Sequence, residues 1–140
     1  MFVDASVLVS IINEEQDAPS LLARLNSHRG PVFVSPIARF EAVQAAARNS
    51  AETRRQRVDA EMLEAASSVV DALVAQLRAE TLSISEEIGS LAVAASRRYG
   101  KVVGHPARLN LGDCFAYACA KSIGVPLLYK GGDFALTDLA

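Results

Sequence analysis

Three isolated runs of apolar residues, MFV at 1–3, VFV at 32–34 and LLY at 127–129, stand between long stretches of helical pattern. Runs this short span no membrane. They are apolar without alternation, the pattern of strands covered on both faces. Single strands separated by helices are joined by crossovers, and crossovers build parallel sheets with helices packed above and below. The opening run also poses a question. MFVDASVLVSII carries one charge, Asp4, set where the first strand should end, and a carboxylate there is expensive to desolvate.

The helical stretches have recognisable ends. Ser6 to Ile12 follows the first strand. Asp17 and Pro19 open a helix that stops at Gly30, with Leu21, Leu22 and Leu25 inward. Ser35-Pro36 opens another from Ile37 to about Asn49. A long helix is expected from about Thr53 to Leu77, with Arg54, Arg55 and Arg57 in its first turns and Met62, Leu63, Ala66, Val69, Val70, Leu73 and Val74 keeping its period. A third strand is expected over Thr81 to Ile84, then a helix capped by Ser85 and favoured by Glu86 and Glu87. KVVGHPARLN is irregular, LGDCFAYACAKSIG is helical with Gly124 as its stop, PLLYK is the fourth strand, and GGDFALTDLA is a turn and short tail.

A chain of 140 residues with 51% hydrophobic content suits one domain over residues 1–140 with a substantial core. A net charge of −2 makes the whole molecule a poor polyanion binder, so any nucleic-acid surface must be a local patch. The N-terminus lacks a basic signal-peptide region. Cys114 and Cys119 fall on different faces of one helix, too far round to bridge, and this points to a reducing, cytoplasmic setting.

In open parallel sheets, sites form at the carboxyl ends of the strands. Four acids belong there: Asp4 after the first strand, Glu41 in the helix after the second, Asp113 at the start of the helix before the fourth, and Asp133 just after the fourth. Singly, three have ordinary explanations. Asp4 can cap a helix, Asp113 suits a helix N-terminus, and Asp133 follows the Gly131-Gly132 turn. Glu41 has none. It shares a face with Ile37 and Ala45, so it points at or beside the core, with no Lys or Arg on that stripe and only Arg48 able to curl round from the rim. Two like charges ~4 Å apart repel by about 4 kcal/mol at an effective dielectric near 20. Such a cluster is stable with protons or with a cation, and an all-oxygen donor set suits Mg²⁺ or Mn²⁺. Zinc is disfavoured because the Cys and His residues lack ligand spacing; His28 is expected in a solvated loop and His105 in a structural or substrate-edge role rather than a catalytic one. A carboxylate-held cation suits phosphodiester hydrolysis. GGDF lacks the P-loop spacing.

Taken together, MFVDASVLVSII, SPIARFEAVQAA, LNLGDCFAYACAK and LLYKGGDFALTDL, in that order and spacing, resemble the PIN-domain nucleases, more narrowly the VapC-type toxins of bacterial toxin–antitoxin pairs. The resemblance spans nearly the whole chain. It implies a three-layer α/β/α sandwich with a central, mostly parallel sheet of four to five short strands. It implies catalytic, metal-binding roles for Asp4, Glu41, Asp113 and Asp133, Mg²⁺ or Mn²⁺ as cofactor, and cleavage of RNA. Ser6 matches the small hydroxyl residue that orders the metal site, and Asp138 is placed behind the direct ligands. One departure touches Asp133: many relatives carry Asn or Asp where this chain has Gly132, which removes a polar neighbour. The resemblance also implies a cognate VapB-type antitoxin whose tail covers the acidic groove, and a homodimer; the long helix from Thr53 and its neighbour could form an apolar clip for that tail.

RNA approaching an acidic pocket needs a positive rim. Arg39, Arg108 and Lys130 are the candidates. Without Trp, base stacking is not indicated and recognition falls to RNA shape and loop access. Two other readings compete. One is a catalytically weak or inactive PIN-like module that binds RNA or a protein partner. The other is a phospho-receiver, which normally needs paired acids after the first strand and an acceptor Asp after the third; this chain has neither.

Overall fold

The structure, a computed structural model, describes residues 1–139; Ala140, the end of the expected tail, lies outside them. Strands β1 (Phe2–Val3), β2 (Phe33–Val34), β3 (Glu80–Thr81) and β4 (Leu127–Leu128) form one sheet in the order β3-β2-β1-β4, every pair parallel. Helices α1 (Ala5–Ile12), α2 (Ala18–Ser27), α3 (Pro36–Arg54), α4 (Ala60–Gln76), α5 (Glu86–Tyr99) and α6 (Leu111–Ser122) make the crossovers. This is the three-layer α/β/α architecture the alternating pattern predicts.

Two residues per strand suffice to sort the layers, because successive side chains point to opposite faces. Phe2, Phe33 and Leu127 join the core under α5 and α6, with Ile88, Tyr99, Tyr117 and Phe134. Val3, Val34 and Leu128 join the core on the other face, with Leu8, Leu21, Leu25 and Val70. A smaller cluster of Ala46, Ala47, Ala51, Met62 and Ala66 zips α3 to α4. Phe2, Val3 and Leu128 are fully buried. Each contributes on the order of 2 kcal/mol, which is why these strands need no polar face.

Two expected elements differ. The long helix does not begin at Thr53: α3 runs to Arg54, the chain turns at Arg55 in the left-handed region (φ 54°), and α4 begins after Asp59, whose side chain accepts from the Met62 amide at 2.8 Å. Arg54, Arg55 and Arg57 therefore close one helix and line a connection rather than opening the next. The third strand sits at Glu80–Thr81, not Thr81–Ile84. It is an exposed edge strand set by hydrogen bonds from the Glu80 amide to Val32 and the Leu82 amide to Val34, both 2.8 Å, so the apolar cue at Leu82 and Ile84 marks core packing after the strand rather than the strand.

The connections leave β1 for β2 and β3 on one side and return to β4 on the other. The reversal falls between β1 and β4, where open α/β sheets place their sites. Asp4 follows β1 and Asp133 follows β4. Helix α3 starts at this rim because it follows β2, and α6 starts there because it precedes β4.

Candidate active site

Asp4 is buried, with 6% of its surface exposed. It caps α1, its Oδ2 accepting from the Ser6 amide at 2.9 Å and from Ser6 Oγ at 2.5 Å. Ser6 Oγ in turn accepts from the Lys130 amide at 3.0 Å, so the first acid is tied to the loop that follows β4. Capping thus accounts for the side chain's direction and leaves it at the candidate site. Desolvation pushes the Asp4 carboxyl up, with the Asp133 charge adding to it against the Ser6 hydrogen bonds.

Asp113 also does two jobs. Its Oδ2 accepts from the Asn110 amide at 2.8 Å while Asn110 Oδ1 accepts from the Asp113 amide at 3.1 Å, a reciprocal capping box at the start of α6. Burial pushes its carboxyl up to about 6, and the charges of Asp4 and Asp133 add to the effect. Glu41, half-buried on α3, is pushed up to about 7, first by burial and then by Asp4 and Asp113; the Arg48 charge works against this, as its position at the rim suggested. Asp4, Glu41 and Asp113 thus come from separate segments, with the charges of Asp4 and Asp113 bearing on Glu41 and that of Asp4 on Asp113, while Asp133 bears on Asp4 and Asp113 from an exposed position in the following turn.

Gly112 is a site residue that sequence reading passed over. A Cβ built there would overlap the Glu41 carboxylate, meeting both oxygens and the carboxyl carbon. The glycine leaves the space in which the Glu41 head group lies against the first turn of α6. Its only sequence signal is a glycine directly before the acid at a helix start.

Other expectations are redistributed. Asp138 does not support the acidic group: its carboxylate accepts from Tyr117 Oη at 2.7 Å, Lys121 Nζ at 2.9 Å and Tyr99 Oη at 3.2 Å, binding the tail to α5 and α6. Lys121 first, then Tyr117, holds its carboxyl down to about 2. Arg39 pairs with Asp71 of α4, and Lys130 pairs with Glu15 and, at 3.6 Å, with Asp17. Arg108 is exposed and, among the described residues, makes no ion pair. His28 is no free loop residue, since its Nε2 lies 3.3 Å from the Met1 amine. His105 is structural, its Nδ1 accepting from the Ala107 amide at 3.1 Å and its ring set edge-on to Tyr99. Both cysteines are buried and unbridged.

The donors fit a hard divalent cation by chemistry: carboxylate oxygens, partly desolvated, with no Lys or Arg closing on them in an ion pair among the described residues. No three of the described His, Cys, Asp and Glu side chains close on one point as a finished cage. Mg²⁺ does not require one, since it keeps several waters and takes one or two carboxylates directly.

A parallel sheet with acids gathered at its switch point defines a class, and the comparisons agree with it. The PIN domain family matches residues 1–139, and the chain belongs to that family. Within it the resemblance is to VapC proteins. A VapC ribonuclease of Rhizobium meliloti is 47% identical over 139 residues, covering 99% of this chain and 98% of that one. Ribonuclease VapC42 of Mycobacterium tuberculosis is 34% identical, covering 99% and 96%. Among solved structures, Mycobacterium tuberculosis VapC20, a Sarcin-Ricin loop cleaving toxin, shares the fold with a TM-score of 0.66 at 16% identity, over 96% of this chain and 92% of that one. A toxin–antitoxin complex from Klebsiella pneumoniae does so with a TM-score of 0.62 at 19% identity, over 99% and 92%. No helix among the described residues is long and apolar enough to cross a membrane.

Proposed function

We propose that this chain is an endoribonuclease toxin of the VapC type, dependent on Mg²⁺ or Mn²⁺, acting as one domain over residues 1–140, dimeric, and neutralised by a cognate VapB-type antitoxin. The observation that carries the reading is the approach of acids from distant segments: the Glu41 head group lies against Gly112, next to Asp113, the charges of Asp4 and Asp113 bear on Glu41, and that of Asp4 bears on Asp113. The 47% identity to a VapC ribonuclease supports the choice of RNA as substrate. Asp4, Glu41 and Asp113 would hold the cation, with Asp133 at its outer side. A bound divalent cation would supply activation of water and stabilisation of charge on the phosphate. The chain's own part is to present ionised oxygens in fixed directions: Ser6 orients Asp4, the capping box orients Asp113, and Gly112 gives Glu41 its place. Of the three cations expected at the rim, Arg108 is the one in no ion pair among the described residues and would be the contact for substrate phosphate.

The test is sequencing of RNA ends after induced expression, beside an Asp4→Ala control, and cleavage of the recovered RNA in vitro with Mg²⁺, Mn²⁺ or excess chelator. Defined new ends absent from the control, and cleavage lost in chelator, are expected. Full activity in chelator or in Asp4→Ala refutes the proposal. A second reading, a PIN-like module that binds without cutting, draws on the exposed position of Asp133; it requires that calorimetry detect no Mn²⁺ binding.

A further inference from the structure

Lys130 was a natural candidate for touching RNA, yet its two ends are both engaged inside the protein. Its ammonium is held by Glu15 and Asp17, in the loop between α1 and α2. Its backbone amide donates to Ser6 Oγ at 3.0 Å, and Ser6 Oγ donates to Asp4 Oδ2 at 2.5 Å. Immediately after it come Gly131, in the left-handed region at φ 90°, and Gly132, then Asp133. Neither glycine has a side chain with which to fix the turn, and glycine leaves the backbone more freedom than any other residue. Lys130 is therefore the last side-chain anchor between β4 and the fourth acid.

We infer that Lys130 is a positioning residue, and that its clamp on Glu15 and Asp17 holds both the Ser6–Asp4 hydrogen bond and the turn that carries Asp133. The inference rests on the metal-dependent reading above. Glu15 then serves the site without facing it, by fixing a lysine whose amide orders the hydroxyl that orders the first acid. Outer partners of this kind typically change metal affinity or activity by about 10–100-fold when removed.

The clamp and the RNA-contact reading demand opposite results at Glu15. If Lys130 binds phosphate, Glu15→Gln frees the ammonium and strengthens RNA binding. If Lys130 positions the site, the same change loosens it. The experiment compares wild type, Glu15→Gln, Lys130→Ala and Lys130→Arg in the full chain. It measures the Mn²⁺ dissociation constant by calorimetry, kcat and KM on RNA, the dependence of RNA binding on salt, and thermal midpoints.

Glu15→Gln and Lys130→Ala should each weaken Mn²⁺ by about 10–100-fold and lower kcat more than they raise KM, with the salt dependence unchanged. Lys130→Arg, which keeps the ion pair, should restore most of the loss. The inference is overturned if Glu15→Gln binds Mn²⁺ like wild type, or if Lys130→Ala spares Mn²⁺ binding and lowers the salt slope by about 0.7, one phosphate contact on a single strand. Should Lys130→Ala fail to fold, Glu15→Gln decides by itself. Wild type that neither binds Mn²⁺ nor cuts RNA refutes the proposed function instead, so the two failures are distinguishable.

Discussion

Replacing Gly112 with alanine separates stability from activity. Gly112 occupies the second position of α6 and has no positive φ, so alanine fits the backbone. Alanine favours a helix interior by up to about 1 kcal/mol over glycine, partly by restricting the unfolded chain. The three atoms nearest the new methyl all belong to the Glu41 carboxylate, and the end of a glutamate moves at little cost. Swung outward, Glu41 regains water, and its carboxyl falls from about 7 toward its ordinary 4.5. Holding that carboxylate ionised inside costs on the order of 3 kcal/mol by this interval. Because the side chain is only half-buried, about 1–2 kcal/mol is the realistic release at pH 7.5. Gly112→Ala should therefore be as stable as wild type or about 1–2 kcal/mol more so in urea denaturation, while a displaced Glu41 lowers cleavage about 10²-fold. In a Glu41→Ala background the same substitution should lose nothing further. Wild-type cleavage by Gly112→Ala, or a loss of more than about 2 kcal/mol, would refute the reasoning, since the first means Glu41 is not needed where it lies and the second that the helix moved instead.

The same carboxyls govern the pH response of metal-free protein. In the fold Glu41 and Asp113 keep their protons up to about 7 and about 6, whereas the unfolded chain releases them near 4.5 and 3.8. The folded state binds more protons in that window, so stability should fall by about 1–3 kcal/mol as pH rises from about 4 to 7.5 in chelator, and Glu41→Gln should flatten the curve in thermal melts. Asp4→Asn and Asp113→Asn should abolish cleavage with no loss of thermal midpoint. Asp138→Ala, whose carboxylate is engaged by α5 and α6, should cost about 1–2 kcal/mol through its lost hydrogen bonds to Tyr117 and Lys121, with kcat unchanged. Arg108→Ala should leave Mn²⁺ affinity intact and reduce the salt dependence of RNA binding by about one contact.

Local chemistry was legible and long-range pairing was not. Strands β1, β2 and β4 announced themselves as short apolar runs, and the capping signals of Ser35 and Ser85 fell where the helices start. Four acids could be assigned to one rim because topology alone puts strand ends and helix starts there. The break between α3 and α4 was expected between about Asn49 and Thr53 and falls instead at Arg55 to Asp59, because no glycine or proline marks it; the usable sign was Asp59, the N-cap of α4. β3 was misplaced because an exposed edge strand of Glu80 and Thr81 carries no apolar pattern. The partners of Asp138 lie 17, 21 and 39 residues away, and Glu15 lies 115 residues from Lys130. No periodicity encodes such meetings.

Strand β1 is flanked by β2 and β4, and it pairs with β4 across nearly the whole polypeptide. Ser6 meets Lys130 across 124 residues. Contacts of such separation form late, after the loop entropy between them has been overcome. During synthesis, Asp4 precedes Asp113 and Asp133 and waits without them until their segments have been translated. A growing chain therefore carries no working site, and a product truncated before residue 113 should be harmless to the cell that makes it.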